Sequence, residues 1–354
     1  MITIDGSYGE GGGQILRTSL ALSSILGLPM RIENIRLKRP NPGLAAQHLT
    51  GLEAIAKVCE ARVEGAALGS TTLTFAPQSA LKAGEYSFDV AQARPGGSAG
   101  AVSLVFQTIF LPLALAQGDS RLFLRGGTHV AWSPPFHYLK LVYLPTLARM
   151  GIEAYLNLES WGWYPVGGGR ITGSIKGMKS TILERLDLSK RGELKRLWGL
   201  SASSNLPAHI VQRQRRQAES LLRQEGFQPE IEIAEAPSPG QGTFVFLLAE
   251  WEGSLAGFTA YGRRGKPAEA VAEEAVRSFL EYQASGAALD QYLADQLVLP
   301  IALASGTSAF STSKITQHLL TNIWVTEQFM GTRFTVEGQE GQSGSVKVQG
   351  YGAF

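Results

Sequence analysis

Residues that could do chemistry gather at a few places in this 354-residue chain. Four glycines fill the five positions 9–13 of the string Gly6-Ser-Tyr-Gly-Glu-Gly-Gly-Gly-Gln-Ile-Leu-Arg17, which runs into an apolar helical pattern over residues 18–28. Glycines ahead of a helix let backbone N–H groups close on a phosphate, and the helix dipole favours the anion there. No Gly-Lys-Ser/Thr follows, so this is not a Walker A loop, and a tight strand-to-helix turn would use the same glycines. Glu10 and Arg17 flank the string. Two further clusters, Arg125-Gly-Gly-Thr128 and Tyr164-Pro-Val-Gly-Gly-Gly169, would each serve as a turn, but together they suggest loops gathered at one end of the sheets. The five histidines, His48, His129, His137, His209 and His318, show no metal-ligand spacing such as His-Glu-x-x-His, which argues against a zinc hydrolase. His318 stands on a hydroxyl-rich approach to an apolar helix, Ser311-Thr-Ser-Lys-Ile-Thr-Gln-His318, and composition alone does not single it out. Basic residues cluster at Arg31, Arg36, Lys38 and Arg39 against Glu33, and again at Arg213, Arg215 and Arg216, the latter best read as a solvated helix face.

The elements that must position these residues follow from periodicity. With 44% hydrophobic and 18% charged residues the chain is core-rich, and its length suggests two domains. An amphipathic helix followed by two strand-like stretches recurs three times: helix 45–59 with 61–64 and 71–76, helix 136–150 with 152–158 and 169–175, and helix 315–330 with 332–337 and 344–349. In each the hydrophobic period switches from about 3.6 to 2. The expected class is α/β, with three repeated units whose helices cover sheets, over residues 1–181 and 286–354. Residues 182–285 break the rhythm and read as an inserted α/β module, with helices at 207–226 and 267–282 and strands at 230–233, 243–249 and 255–261. The uncharged stretch 99–116 reads as a buried helix, since it holds Gln107, Thr108 and Pro112. The single cysteine, Cys59, excludes an intramolecular disulfide and a cysteine-built zinc site, which suits a cytoplasmic location. Nothing at the N-terminus resembles a secretion signal, and no membrane or obligate protein partner is implied.

Six ordered matches along the chain resemble the RNA 3′-terminal phosphate cyclase family. They are the Tyr8–Arg17 string, Ile35-Arg-Leu-Lys-Arg-Pro-Asn-Pro-Gly-Leu44 with Gln47-His48, Gly126-Gly-Thr128 with Pro134-Pro135, the Tyr164–Gly169 cluster, Asp290-Gln-Tyr-Leu-Ala-Asp-Gln296, and His318-Leu-Leu-Thr-Asn322. The resemblance implies the same architecture and a ligase-class reaction in three steps. A histidine attacks the α-phosphorus of ATP; the AMP passes to an RNA 3′-phosphate; the 2′-hydroxyl then closes a 2′,3′-cyclic phosphate and AMP leaves. By position, His318 resembles the nucleophile and Glu10 the acidic residue that helps hold Mg²⁺ or Mn²⁺. Gln107, Pro134, Tyr138, Tyr292 and Asp295 fall where the family contacts the adenylate. Arg17, Arg36, Arg39 and Gln47 fall where it holds the RNA end.

The chain departs from the family pattern in three places. Residues 92–101 replace a shorter turn carrying an aspartate, His137 stands where the family favours Asp, and Trp161 stands where it has a basic residue. Two rival functions share the fold: a non-catalytic cyclase-like RNA-binding protein of ribosome assembly, which would lack the histidine, and an enolpyruvyl-type transferase. No Lys-x-Asp-Gly or Lys-x-Asn-Gly string of a lysine-based ligase occurs.

Overall fold

A computed structural model describes residues 1–94, 96–178 and 182–352. Three units share one chain order, strand–helix–strand–helix–strand–strand, and each closes a four-stranded sheet. In the first, Ile2–Asp5 pairs parallel with Met30–Glu33, which pairs antiparallel with Leu73–Ala76, and Arg62–Glu64 closes the sheet. The second repeats this with Glu85–Asp89, Ser120–Gly126, Gly169–Ile175 and Ala154–Ser160. The third uses Asp187–Leu188, Thr307–Thr312, Gly344–Gln349 and Phe334–Glu337. The parallel pair in each sheet is forced by the intervening helix, which returns the chain in the same direction; the antiparallel pair needs only a hairpin.

The α/β repeat is thus as the sequence implied, but larger: a leading strand and helix belong to every copy. The inserted chain interrupts the third copy after its first strand. Residues 187–188, which the sequence grouped with the insert, are hydrogen-bonded to Thr307–Thr312 of the third sheet. The expected boundary at 181 lies outside the described residues, as does Pro95 of the atypical 92–101 segment.

The inserted module has its own sheet, ordered Glu230–Glu235, Leu194–Ser204, Gly242–Trp251, Leu255–Tyr261, with helices His209–Gln224 and Ala268–Ser285 over one face. Its longest strand, Leu194–Ser204, has no strong sequence signature because Gly199 and four small or hydroxyl residues, Ser201 to Ser204, replace bulky β-formers. Gly199 is needed there: a Cβ would meet Leu247 Cδ2 at 2.9 Å and the Phe246 carbonyl at 3.1 Å. Strand Gly242–Trp251 is buried on both faces. Val245, Leu247 and Ala249 face the module's own helices, while Phe244, Phe246 and Leu248 join the core of the three units.

Two helices bear directly on the site. In Val102–Ala114, twelve of the thirteen residues are buried and Gln107 is the exception, so this helix is a core element with one polar opening. Among the described residues no helix is long and apolar enough to cross a membrane. The helix begun at Phe136–Tyr138 passes through a π turn, Leu139–Tyr143, before Leu144–Ala148. Pro145 has no N–H to donate back along the helix, and a widened turn at this point accommodates the missing bond.

Candidate active site

The cleft forms where helices from different units meet edge to edge. Gln14, Arg17 and Thr18 come from Gly13–Leu26, Gln107 from Val102–Ala114, Asp295 and Gln296 from Gln291–Gln296, and His318 and Asn322 from Gln317–Met330. Polar residues on otherwise apolar helices would be unfavourable in a closed core; here they knit the helices together. Thr18 Oγ1 donates to Asn322 Oδ1 (2.7 Å), and Asn322 Nδ2 donates to the Asp295 carbonyl (3.0 Å). Gln14 Nε2 donates to the His318 carbonyl, and Gln107 Nε2 to Gln296 Oε1 at 2.6 Å.

His318 enters its helix at the second residue. Thr316 caps that helix, its hydroxyl accepting from the Leu319 N–H at 3.0 Å, which fixes the imidazole at the helix start rather than inside it. His318 Nδ1 lies 2.9 Å from Asp295 Oδ2, in contact with the carboxylate but not aligned on it as a formed hydrogen bond. Proximity to the carboxylate favours a proton on Nδ1 and leaves Nε2 as the lone-pair nitrogen. About a third of the His318 side chain is exposed, against 12% for Asp295.

Arg17 is recessed in the same cleft. Burial lowers its guanidinium to about 10, with the Asp295 carboxylate pulling the other way, so it stays charged at neutral pH. It has no hydrogen bond or ion pair among the described residues. A recessed cation whose guanidinium makes no hydrogen bond has donors free for an anion.

The glycine loop reaches this cleft from the first unit. Gly9 and Gly11 adopt φ of 54° and 57°, and Gly12 caps Gly13–Leu26 with no side-chain bond and no acidic residue in the first turn, so the helix N-terminus carries its positive dipole unopposed. Close approach explains two glycines. A Cβ on Gly9 would sit 2.3 Å from Thr321 Oγ1, and one on Gly13 would sit 2.3 Å from His48 Nε2. The ring of Tyr8 stacks on Trp324 at 3.9 Å between centroids, tying the loop to the helix that bears His318. His48 is buried; its Nδ1 accepts from the Ala45 N–H (3.0 Å), and burial followed by the charges of Arg36 and Arg17 lowers it to about 3.

The remaining sequence candidates divide. Asp295, His318, Arg17 and Gln107 line the cleft. Glu10 is not among the residues that line it and lies 3.3 Å from Arg39 Nη2. Arg36 takes a left-handed backbone (φ 52°) and is committed to the Gly43 carbonyl at 2.7 Å, so it also holds its own loop. Gln47 accepts from the Ala101 N–H at 3.1 Å, which anchors the start of the Gln107 helix. Tyr292 lies one turn before Asp295 and is exposed, and Pro134 lies in the loop after Thr128. Tyr138 is not brought to the cleft. It is buried with its hydroxyl 2.8 Å from Asp290 Oδ1, because the π turn carries it against the inserted sheet. Gln14 and Thr18 were missed by sequence reasoning; their only signal was polarity on the buried stripe of an apolar helix.

The atypical residues meet one another. His137 and Trp161 pack with His129, Trp163 and Phe244, His129 stacking on Trp161 at 4.0 Å and His129 Nε2 lying 2.9 Å from His137 Nδ1. An aromatic box thus fills the junction between the second unit and the inserted sheet.

The RNA 3′-terminal phosphate cyclase family model matches residues 8–336. The chain belongs to the RNA 3′-terminal phosphate cyclase family. The cyclase of Methylococcus capsulatus is 51% identical over 350 residues, covering 99% of this chain and 97% of that protein. The cyclase of Pyrococcus furiosus is 42% identical over 351 residues, covering 98% of each. Among solved structures, the enolpyruvyl transferase NikO from Streptomyces tendae aligns with a TM-score of 0.42 at 11% identity, covering 99% of this chain and 48% of that one. The family is one of ligase-type enzymes; in this chain His318 lies beside the Asp295 carboxylate in the cleft that Arg17 also lines.

Proposed function

We propose that this cyclase-family chain converts an RNA 3′-phosphate to a 2′,3′-cyclic phosphate at the expense of ATP, through an adenylate on His318. The observation that carries this reading is His318 Nδ1 at 2.9 Å from Asp295 in a cleft that also holds Arg17, whose guanidinium makes no hydrogen bond among the described residues. Nε2 attacks the α-phosphorus; a P–N bond forms, a P–O bond breaks, and pyrophosphate leaves. The Asp295 carboxylate stabilises the cationic ring that results. An oxygen of the RNA 3′-phosphate then displaces the histidine and takes the AMP. The 2′-hydroxyl attacks the activated 3′-phosphorus, loses its proton, and AMP departs. Covalent catalysis is apt because a phosphate monoester is a poor electrophile until adenylylation gives it a leaving group. Nucleophilic attack uses the Nε2 lone pair, which the tautomer with its proton on Nδ1 leaves free.

The helix N-terminus after Gly12 and the Arg17 guanidinium would hold phosphate oxygens, with Arg36, Arg39 and Gln47 toward the RNA end. Among the described residues no three metal-ligating side chains gather. A Mg²⁺ or Mn²⁺ that takes most of its oxygens from phosphates and water asks the protein for only one or two carboxylates, and Glu10 fits that demand. When bound, the ion would neutralise triphosphate charge. The single cysteine, Cys59, is buried and free, which accords with work in the cytoplasm.

The test is incubation of wild type and His318→Ala with α-labelled ATP and a divalent metal, followed by denaturing electrophoresis and acid treatment. An acid-labile band in wild type that is absent from the variant is expected. A band of equal strength in the variant moves the nucleophile elsewhere, and no band in either folded protein favours the non-catalytic RNA-binding reading.

A further inference from the structure

Asp290 is 2% exposed and meets three parts of the fold at once. Its Oδ1 accepts from the backbone N–H groups of Tyr292 (2.8 Å) and Leu293 (3.0 Å), capping the helix Gln291–Gln296. Its Oδ2 accepts from the Gly257 N–H of the inserted sheet at 3.2 Å. The Tyr138 hydroxyl, from the second unit, lies 2.8 and 3.0 Å from the two oxygens. Gly257 is on the edge strand Leu255–Tyr261, which has one side free of partner strands, so its N–H is available for this bond. No side chain fits there: a Cβ would come within 2.8 Å of Tyr138 Cδ2 and 3.0 Å of Val142 Cγ2.

The capped helix has six residues. A helix that short does not hold itself, so its orientation is decided by its cap and its contacts. One turn after the cap it delivers Asp295, whose carboxylate lies 2.9 Å from His318 Nδ1 and whose carbonyl accepts from Asn322. A carboxylate left in the core without these donors would be strongly unfavourable, and the donors therefore move with it.

We propose that Asp290 is a positioning residue through which the inserted module holds Asp295 against His318. The module then does more than decorate the core: its docking sets the geometry of the histidine. This rests on His318 as the adenylylated residue. It touches no reacting atom, and an Asp-to-Asn change separates its two duties. Asn keeps an oxygen for the cap, since Asn caps about as well as Asp, but it presents an NH₂ to the Gly257 N–H.

The experiment uses the full chain as Asp290→Asn, Gly257→Ala and Tyr138→Phe. For each, the single-turnover rate of self-adenylylation is followed against ATP concentration, and hydrogen exchange is read for peptides over 291–296 and 255–261. Asp290→Asn and Gly257→Ala are expected to lower the maximal rate by roughly tenfold or more, with the half-saturating ATP changed about twofold at most, because misplaced groups lose rate before binding. Tyr138→Phe, the mildest change, serves if the others fail to fold, and should lower the maximal rate in the same sense. Protection over 291–296 should fall in Gly257→Ala, although that substitution lies in the other module. An unchanged maximal rate in both Gly257→Ala and Tyr138→Phe overturns the proposal and leaves Asp290 as a helix cap only. If wild type takes no label, the histidine reading fails by itself, and the exchange arm still decides the link: protection over 291–296 lost in Gly257→Ala supports it, protection retained overturns it.

Discussion

At the scale of single residues, Arg17 and Gly13 carry the sharpest expectations. Arg17 is a recessed cation with no hydrogen bond or ion pair among the described residues, its burial only partly offset by the Asp295 carboxylate across the cleft, so it favours the fold little in the absence of an anion. Arg17→Ala should leave the melting temperature unchanged or raise it, while slowing AMP transfer to a 3′-phosphorylated oligonucleotide by about 10²-fold or more, the usual scale for a lost charge-stabilising donor. An equal loss of self-adenylylation would assign Arg17 to the nucleotide. Arg39 differs, being partly exposed with only a 3.3 Å contact to Glu10. Its replacement by Ala should flatten the salt dependence of RNA binding by about 0.7 log unit per decade, measured by titration at several salt concentrations. Gly13→Ala places a methyl 2.3 Å from His48 Nε2, and His48 is buried with no space to retreat. The variant should lose about 1–3 kcal/mol by overpacking, read as a drop in denaturant midpoint. Gly27→Ala meets no neighbour within 4 Å, but its φ of 65° makes it a control for backbone strain alone.

At the scale of elements, the loop before Gly13–Leu26 and the helix Gln317–Met330 act as one body. The Tyr8–Trp324 stack and the tight fit of Gly9 on Thr321 join the glycine loop to the helix that carries His318. Tyr8→Ala should cost about 0.5–1.5 kcal/mol for the lost aromatic pair. It should also raise the ATP concentration needed for half-maximal labelling more than it lowers the maximal rate, since it frees the loop without moving Asp295. The opposite pattern would mean that the stack orients the histidine rather than the loop. These contacts join elements more than three hundred residues apart in sequence, as do the Gln14–His318 and Thr18–Asn322 bonds, and no local pattern announces them.

At the scale of the whole molecule, the inserted module is held by an apolar face rather than by a hinge of charges. Phe244 packs into the box of Trp161, Trp163, His129 and His137, and burial keeps both histidines neutral, His137 lowered to about 3 and His129 well below the ordinary value. His48 is lowered likewise, to about 3. A histidine whose folded value lies below its unfolded one gives stability that is present above the unfolded value. That stability is lost as pH falls from about 6.5 toward 3, because the unfolded chain takes up the protons first. Melting temperature should therefore fall steadily from pH 7 to pH 4. Asp290 works in the opposite sense over part of this range: burial raises it to about 6, so its contribution favours the folded state more as pH falls from 6 toward 4. With three histidines against one carboxyl, the net slope should remain a loss on acidification. Replacing His137 by Asn should reduce it, as read by melts across pH; an unchanged slope would mean that the buried pair is not what titrates.

What the sequence determined by itself was whatever repeats locally or is written as a motif. Period switches from helix to strand marked all three α/β units, because amphipathic burial leaves the same print in each copy. The glycine string stood out by residue type, and His318 and the Asp290–Gln296 stretch only by their resemblance to the cyclase family. Tertiary structure decided the rest. It alone placed Leu194–Ser204, whose small residues give no strand pattern but which is paired on both sides, with Glu230–Glu235 and Gly242–Trp251. It alone put Asp187–Leu188 in the third sheet, since a two-residue strand is defined by its partner and not by its own sequence. It set the Tyr138 hydroxyl on Asp290, where a buried carboxylate needs donors. And it brought Asp295 to His318, a proximity that depends on the docking of a six-residue helix and so on contacts from every part of the chain.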